Sequence, residues 1–299
     1  MIEFSGPGLH SGSAVRIRIR PAPTGHGIKF CRVDIDDADP LVPASWSDVV
    51  PSRLCTVLAN DDGVEASTVE HVMAALAGCG VHNALVEIDG PELPILDGSA
   101  APYVAAILRT GLAEQDQPIT VLEITREISV RQGPTWARIA PGPGFQIDFR
   151  IEFPDQAIGQ QSKLLDLANG TFVRELCDSR TFCRLADVEA MRAAGLARGG
   201  TLANALVVDG DEILTPGGAR HNDEAVRHKM LDALGDLALA GAPILGRFTA
   251  HRGGHALTNR LLHRLFASPD AYRLRPATAA EALRLPGIGV HQGDLRAVA

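Results

Sequence analysis

Apolar residues recur along this chain in two periods. Over residues 14–20, Val15, Ile17 and Ile19 alternate with Arg16, Arg18 and Arg20. That period of two predicts a strand with one buried face. Its basic face reads as a solvated edge, and Pro21 and Pro23 end it. Residues 145–153 alternate most cleanly, Phe145, Ile147, Phe149, Ile151 and Phe153 against Gln146, Asp148, Arg150 and Glu152. Shorter apolar runs predict strands at 54–58, 83–88, 121–124, 128–130, 136–139 and 244–250. The stretch from Pro23 to Pro51 reads as loop, and the tail after Ser268 is weakly patterned.

The helical period dominates residues 222–241, where Val226, Met230, Leu234 and Leu237 form one stripe. Asn222 or Asp223 is the expected cap, Glu224 suits the positive end of the dipole, and Gly241 and Pro243 stop the helix. A second helix is expected over 66–78, opening at Ser67-Thr68 and closing at Gly78. A third is capped by Asp97-Gly98-Ser99, carries Pro102 in its first turn and runs to about Arg109. Cap and helix signals recur around 170–177, and a last helix is expected over 255–266 after the glycine turn His251-Arg252-Gly253-Gly254.

Helix, strand, loop, helix appears at 68–109 and again at 223–267, each time after a run of strands. This order predicts an α+β protein with helices packed on one face of each sheet. The polar stretch 111–118 reads as the link between residues 1–115 and 116–299. No sequence repeat is visible, so the shared order is the only sign of a duplication.

With 299 residues and 45% hydrophobic content, the chain can bury a sizeable core. Its net charge of −8 argues against nucleic-acid binding, and 4% aromatic content argues against a base-stacking platform. Cys31, Cys55, Cys79, Cys177 and Cys183 are scattered and odd in number. They read as reduced thiols of a cytoplasmic protein. Residues 1–8 lack signal-peptide character, and no apolar run approaches the ~18 residues of a membrane span, so no stable membrane insertion is expected.

Chemistry concentrates in three places. His228 and Asp232 stand four residues apart on one helix face, and Asp236 continues that face. Glu70 and His71 are neighbours in the first turn of another helix. His255 opens the last helix. A catalytic metal needs three protein ligands and one open position, and His71, His228 and Asp232 would supply them. Glu70 and His255 would then remain for proton transfer. The bland readings stand beside these. Ser67 with Glu70 fits a capping box, which is the preferred reading of that stretch alone, and His228 with Asp232 fits an ordinary helix pair. His26, His82, His221, His263 and His291 read as structural or solvated.

Several strings together resemble the UDP-3-O-acyl-N-acetylglucosamine deacetylases, zinc amidohydrolases of lipid A biosynthesis. They are Gly8-Leu9-His10-Ser11-Gly12, Ser67-Thr68-Val69-Glu70-His71, Pro94-Ile95-Leu96-Asp97-Gly98-Ser99-Ala100 and Ser179-Arg180-Thr181-Phe182. Further on come Gly199-Gly200-Thr201, the long string over 226–237, and Gly254-His255-Ala256-Leu257. The resemblance spans nearly the whole chain in order.

The resemblance implies His71, His228 and Asp232 as Zn2+ ligands, Glu70 as general base and His255 as general acid held protonated by Asp236. It implies Thr181 and Lys229 at the oxyanion or the substrate, and Phe182 along the sugar. The apolar patch Val188, Met191, Leu196, Leu202, Ala205 and Val207 is similar to the insert that forms the family's acyl passage. Arg252 stands where the family carries a lysine, which keeps a charge toward phosphate without the ammonium geometry. The start looks about ten residues short of the family's usual one. The implied fold is two similar domains, each a mainly antiparallel sheet with helices on one face, with the site between them. The expected partner is a UDP-linked acylated amino sugar met by a monomer. A different zinc amidase, such as a peptidase, is disfavoured by the absence of H-E-x-x-H. A catalytically silent binder would survive loss of Glu70. Ligation by two histidines and an aspartate suits zinc or iron.

Overall fold

The computed structural model describes residues 1–295. Its architecture is α+β, with mainly antiparallel sheets. The first sheet runs in the spatial order Ile2–Pro7, Ala14–Pro21, Ala84–Ile88, Ile28–Arg32, Leu41–Pro43. The second has a path Ile128–Gln132, Thr135–Ala140, Ile244–His251, Phe145–Glu152, Gln160–Asp166. The two paths have the same topology. In each, two hairpin strands meet a later strand, which runs parallel to the third strand of the series and is followed by the fourth. Thr120–Ile124 and Tyr272–Pro276 extend the second sheet. The shared order read from the sequence therefore reappears as a shared strand order, although no residue-level repeat is visible.

Each sheet is followed by its helices. Helix α1 (Glu70–Gly78) and helix α2 (Ala101–Thr110) belong to the first unit. The second contributes the short helices α3 (Thr171–Glu175) and α4 (Leu185–Ala193), then α5 (Glu224–Ala238) and α6 (His255–Phe266). Helix α1 packs on α5, and α5 packs on α6 and on strands 145–152 and 160–166. The α1–α5 contact is the join that positions the site. Gly235 makes it close, because a Cβ there would lie 2.1 Å from the carbonyl oxygen of Glu70. Helix α5 is accordingly buried on nearly every face, well beyond the stripe its periodicity predicts.

Several local expectations change. Strand 14–21 is interior to its sheet, paired on both sides, and Arg18 and Arg20 reach the carboxylates of Glu3 and Glu87 across the neighbouring strands. The predicted loop contains strands 28–32 and 41–43, too short to show a period. The strand expected at 54–58 forms at Val57–Ala59, in a small sheet with Val49–Val50 and Glu65–Ser67. The weakly patterned tail supplies strand 272–276, whose partner lies about 150 residues upstream, as in Arg273 to Glu123.

The caps also differ. Asp223 stands at the N-cap of α5 without capping it, because its carboxylate takes Lys163 Nζ and Arg227 Nε instead. Glu224 does open the first turn of α5, and it is buried there. Its carboxylate accepts the backbone N–H groups of Arg180 and Arg220 and the Arg180 guanidinium. Ser67 belongs to a strand, its hydroxyl donates to the Pro91 carbonyl, and Thr68 adopts φ 57° before α1 begins at Glu70. The capping box at Ser67 and Glu70 does not form.

Candidate active site

Relieved of a capping role, Glu70 points inward. Its Oε2 accepts the backbone N–H of Thr56 at 3.1 Å, and its Oε1 lies 3.8 Å from His255 Nε2. His71, the next residue on α1, faces Asp232 across the α1–α5 join, with Nε2 3.6 Å from Oδ1. His228 Nε2 approaches the same oxygen at 3.2 Å. One ligand atom from each of His71, His228 and Asp232 fits within a span of 4.8 Å, with all three residues buried. The i, i+4 spacing on α5 thus becomes a shared pocket only because α1 crosses it closely.

The protonation states suit metal binding. His228 Nδ1 lies 3.0 Å from the Ser179 carbonyl, an acceptor only, so this nitrogen carries the proton and Nε2 is free for a ligand. Burial pushes the His228 imidazole down to about 4. Burial works against the Asp232 charge, yet its basic neighbours His228 and Lys229 hold the carboxyl well below the usual carboxylate range. Lys229 Nζ takes Asp232 Oδ2 at 2.7 Å. Asp232 Oδ1 is buried and, among the described residues, accepts no hydrogen bond. A buried anionic oxygen without a donor, facing two imidazole nitrogens, is an unfavourable arrangement that a cation would relieve. The residues therefore fit a divalent metal held by His71, His228 and Asp232.

Beside this cluster lies a second close pair of ionisable groups, Glu70 and His255. Burial raises the Glu70 carboxyl above its usual range, only partly offset by His255 and His71. His255 is only partly exposed, which opposes its charge, but Asp236 and Glu70 raise it to about 9. Its Nδ1 lies 2.9 Å from Asp236 Oδ2. Close ionisable groups whose affinities are pushed in this way concentrate at functional sites, and structural ion-pair networks share the pattern.

Above the cluster opens a cavity of about 820 Å3. Glu70, His71, His228, Lys229, Asp232 and His255 lie along its polar floor, and Thr181, Phe182, Met191 and Arg252 also line it. The apolar wall continues through Ile151, Phe153, Ala190, Ala194 and Leu196. Val188, Ala205 and Val207, also expected at the acyl chain, do not line this cavity. Val207 pairs with Cys183 in the small sheet that supports the wall, and Ala205 is buried behind it. Asp236 lies one layer below the floor, reaching the cavity through His255.

Sequence reasoning passed over Thr56, Ser179 and the Arg180–Glu224 pair. Thr56 and Ser179 touch the reactive side chains directly, and Arg180–Glu224 ties the 179–181 segment to the start of α5. Only the apolar run around Thr56 and the string over 179–182 marked these positions, and neither carries a periodic signal.

The profile of the family described as UDP-3-O-acyl N-acetylglycosamine deacetylase matches residues 1–267. Among curated proteins, the UDP-3-O-acyl-N-acetylglucosamine deacetylase of Shewanella oneidensis is 43% identical over 293 residues, 96% of this chain and 95% of that protein. The protein of the same name from Shewanella baltica is 45% identical over 276 residues, 92% of this chain and 90% of that protein.

Proposed function

The chain belongs to the UDP-3-O-acyl-N-acetylglucosamine deacetylase family, and from that membership we propose how its own residues perform the reaction. The activity is hydrolysis of the N-acetyl group of a UDP-3-O-acyl-N-acetylglucosamine, in lipid A biosynthesis. The products are acetate and the free amine. The observation that carries the site assignment is the convergence of His71, His228 and Asp232 around an unpartnered buried oxygen, with Glu70 and His255 alongside.

We read the metal as zinc, held by His71, His228 and Asp232. When bound, such an ion supplies Lewis acidity and lowers the pKa of a water to about 7. Glu70 then takes the proton of the attacking water, which its raised affinity suits near neutral pH. Lys229 and Thr181, both on the cavity wall, would face the charge that develops on the carbonyl oxygen. His255 gives its proton to the departing amine, and Asp236 accepts from its other nitrogen throughout. Activity should fall at low pH as Glu70 is protonated and at high pH as His255 loses its proton.

The wall residues Phe182 and Met191 would receive the sugar and the acyl chain, and Arg252, half-exposed at the rim, a phosphate of the nucleotide. Among the described residues no helix is long and apolar enough to cross a membrane, so this surface would meet the lipid substrate from water. A cytoplasmic monomer is the setting we propose, in keeping with five free cysteines.

The test is metal content together with deacetylation of the acylated UDP-sugar, on wild type and on His228→Ala. About one bound metal per chain and turnover are expected, both lost in the variant. A folded wild type that takes up no zinc would remove the ligand assignment.

A further inference from the structure

Thr56 touches both halves of the proton-transfer machinery, and no motif announced it. It lies just before the strand Val57–Ala59 and is 2% exposed. Its hydroxyl donates to Asp236 Oδ1 at 2.6 Å, a contact across 180 residues of chain. The same hydroxyl oxygen is 3.2 Å from His255 Nδ1. Its backbone N–H donates to Glu70 Oε2 at 3.1 Å.

A carboxylate at Asp236 orders the protons in this arrangement. An ionised carboxylate only accepts, so the Thr56 hydroxyl proton and the His255 Nδ1 proton both point toward Asp236. One Asp236 oxygen is occupied by each donor, which fixes the plane of the carboxylate and, through it, the imidazole ring. His255 Nε2 is then the nitrogen turned toward the cavity, where Glu70 Oε1 and Asp232 Oδ2 each lie 3.8 Å away. On the other side, the Thr56 N–H holds one Glu70 oxygen and leaves the second facing His255.

We propose that Thr56 is a positioning residue for the deacetylation reaction, aligning the acid through Asp236 and the base through its own backbone. This rests on the roles given above to Glu70 and His255. The hydroxyl does work that the bulk of the side chain does not, because only the hydroxyl reaches Asp236.

The experiment compares Thr56→Val and Thr56→Ser with wild type, measuring kcat, KM, bound zinc and melting temperature. Valine keeps the branched shape and the backbone N–H but removes the donor. The expected result is a kcat lowered by ~10–100-fold in Thr56→Val, with KM, zinc content and melting temperature held. Thr56→Ser, which restores the donor, should recover most of the rate. A Thr56→Val protein as fast as wild type overturns the assignment. So does a rate loss that comes with loss of zinc or of thermal stability, which would make the residue merely structural. A serine variant as slow as the valine one overturns it as well. A folded wild type that leaves the sugar amide intact would remove the reaction itself, and the assignment with it.

Discussion

The floor of the cavity and its apolar wall are built on opposite plans. On the floor, three polar side chains are each fixed by a partner from outside their own helix. His228 is held by Ser179, His255 by Asp236, and Glu70 by Thr56, while α1 and α5 press together at Gly235. The wall is carried by the short helix α4 and the strands beneath it. Every residue of α4 is at least partly exposed. A floor of buried, mutually bonded polar groups has one arrangement, because any displacement leaves a charge or a dipole unpaired. A wall of half-buried apolar side chains can shift at small cost, since dispersion contacts are individually weak and direction-free. If the floor carries the proposed chemistry and the wall receives the acyl chain, the contrast predicts that the two are separable.

The largest effect that tests this separation is expected at Glu70. Glu70→Gln keeps an acceptor for the Thr56 N–H and removes a buried charge, so the fold and the metal ligands should stay intact. The rate should fall by ~10²–10⁴-fold, the usual range for loss of a general base. Steady-state kinetics alongside zinc analysis would check it. Near-normal turnover in the glutamine variant would return Glu70 to a structural role and leave the floor without its base.

A smaller but broader effect is expected from Gly235→Ala. The new Cβ would fall 2.1 Å from the Glu70 carbonyl, a backbone atom that cannot swing aside. The helices must separate, at a cost of about 1–3 kcal/mol or more. A displacement on the scale of 1 Å can cost ~10²-fold in rate. Melting temperature and kcat should therefore drop together, unlike in Glu70→Gln, where only the rate moves. A Gly235→Ala protein with wild-type stability and rate would mean that the α1–α5 contact does not set the site.

The same contrast explains what the sequence made legible. Helix α5, strand 14–21 and strand 145–152 declare themselves because each buries a periodic face, a local signal. The grouping of His71 with His228 and Asp232 could be suggested from the sequence because two of the three share one helix face, but only the crossing of α1 and α5 brings the third beside them. What stayed hidden depends on contacts across long sequence separations. Ser67 could not be told from a cap until Pro91 claimed its hydroxyl and Thr68 turned the chain. Glu224 does stand in the first turn of α5, but its buried ion pair with Arg180, 44 residues upstream, left no local signal. Thr56 was one polar residue in an apolar run. On the wall, composition marked an apolar patch of which only Met191 and Leu196 line the cavity. Val207 and Met191 look equally apolar, and only the pairing of Val207 with Cys183 shows that its strand supports the wall while Met191 lines it.

The smallest expected effect is on that wall, and it bears most directly on the separation. Met191 is partly buried and lines the cavity on the apolar side. Met191→Ala removes apolar surface that a long acyl chain would cover. At about 0.8 kcal/mol per buried CH2, loss of one such contact lowers kcat/KM roughly fourfold. The loss should appear with a long 3-O-acyl group and vanish with a short one, which never reaches the wall. Zinc content and kcat at saturation should not change, because none of the floor's hydrogen bonds includes Met191. Comparing kcat/KM across a series of acyl lengths would decide the matter. An equal loss at every length would show that α4 also holds the floor in place, and the two regions would then be one mechanical unit.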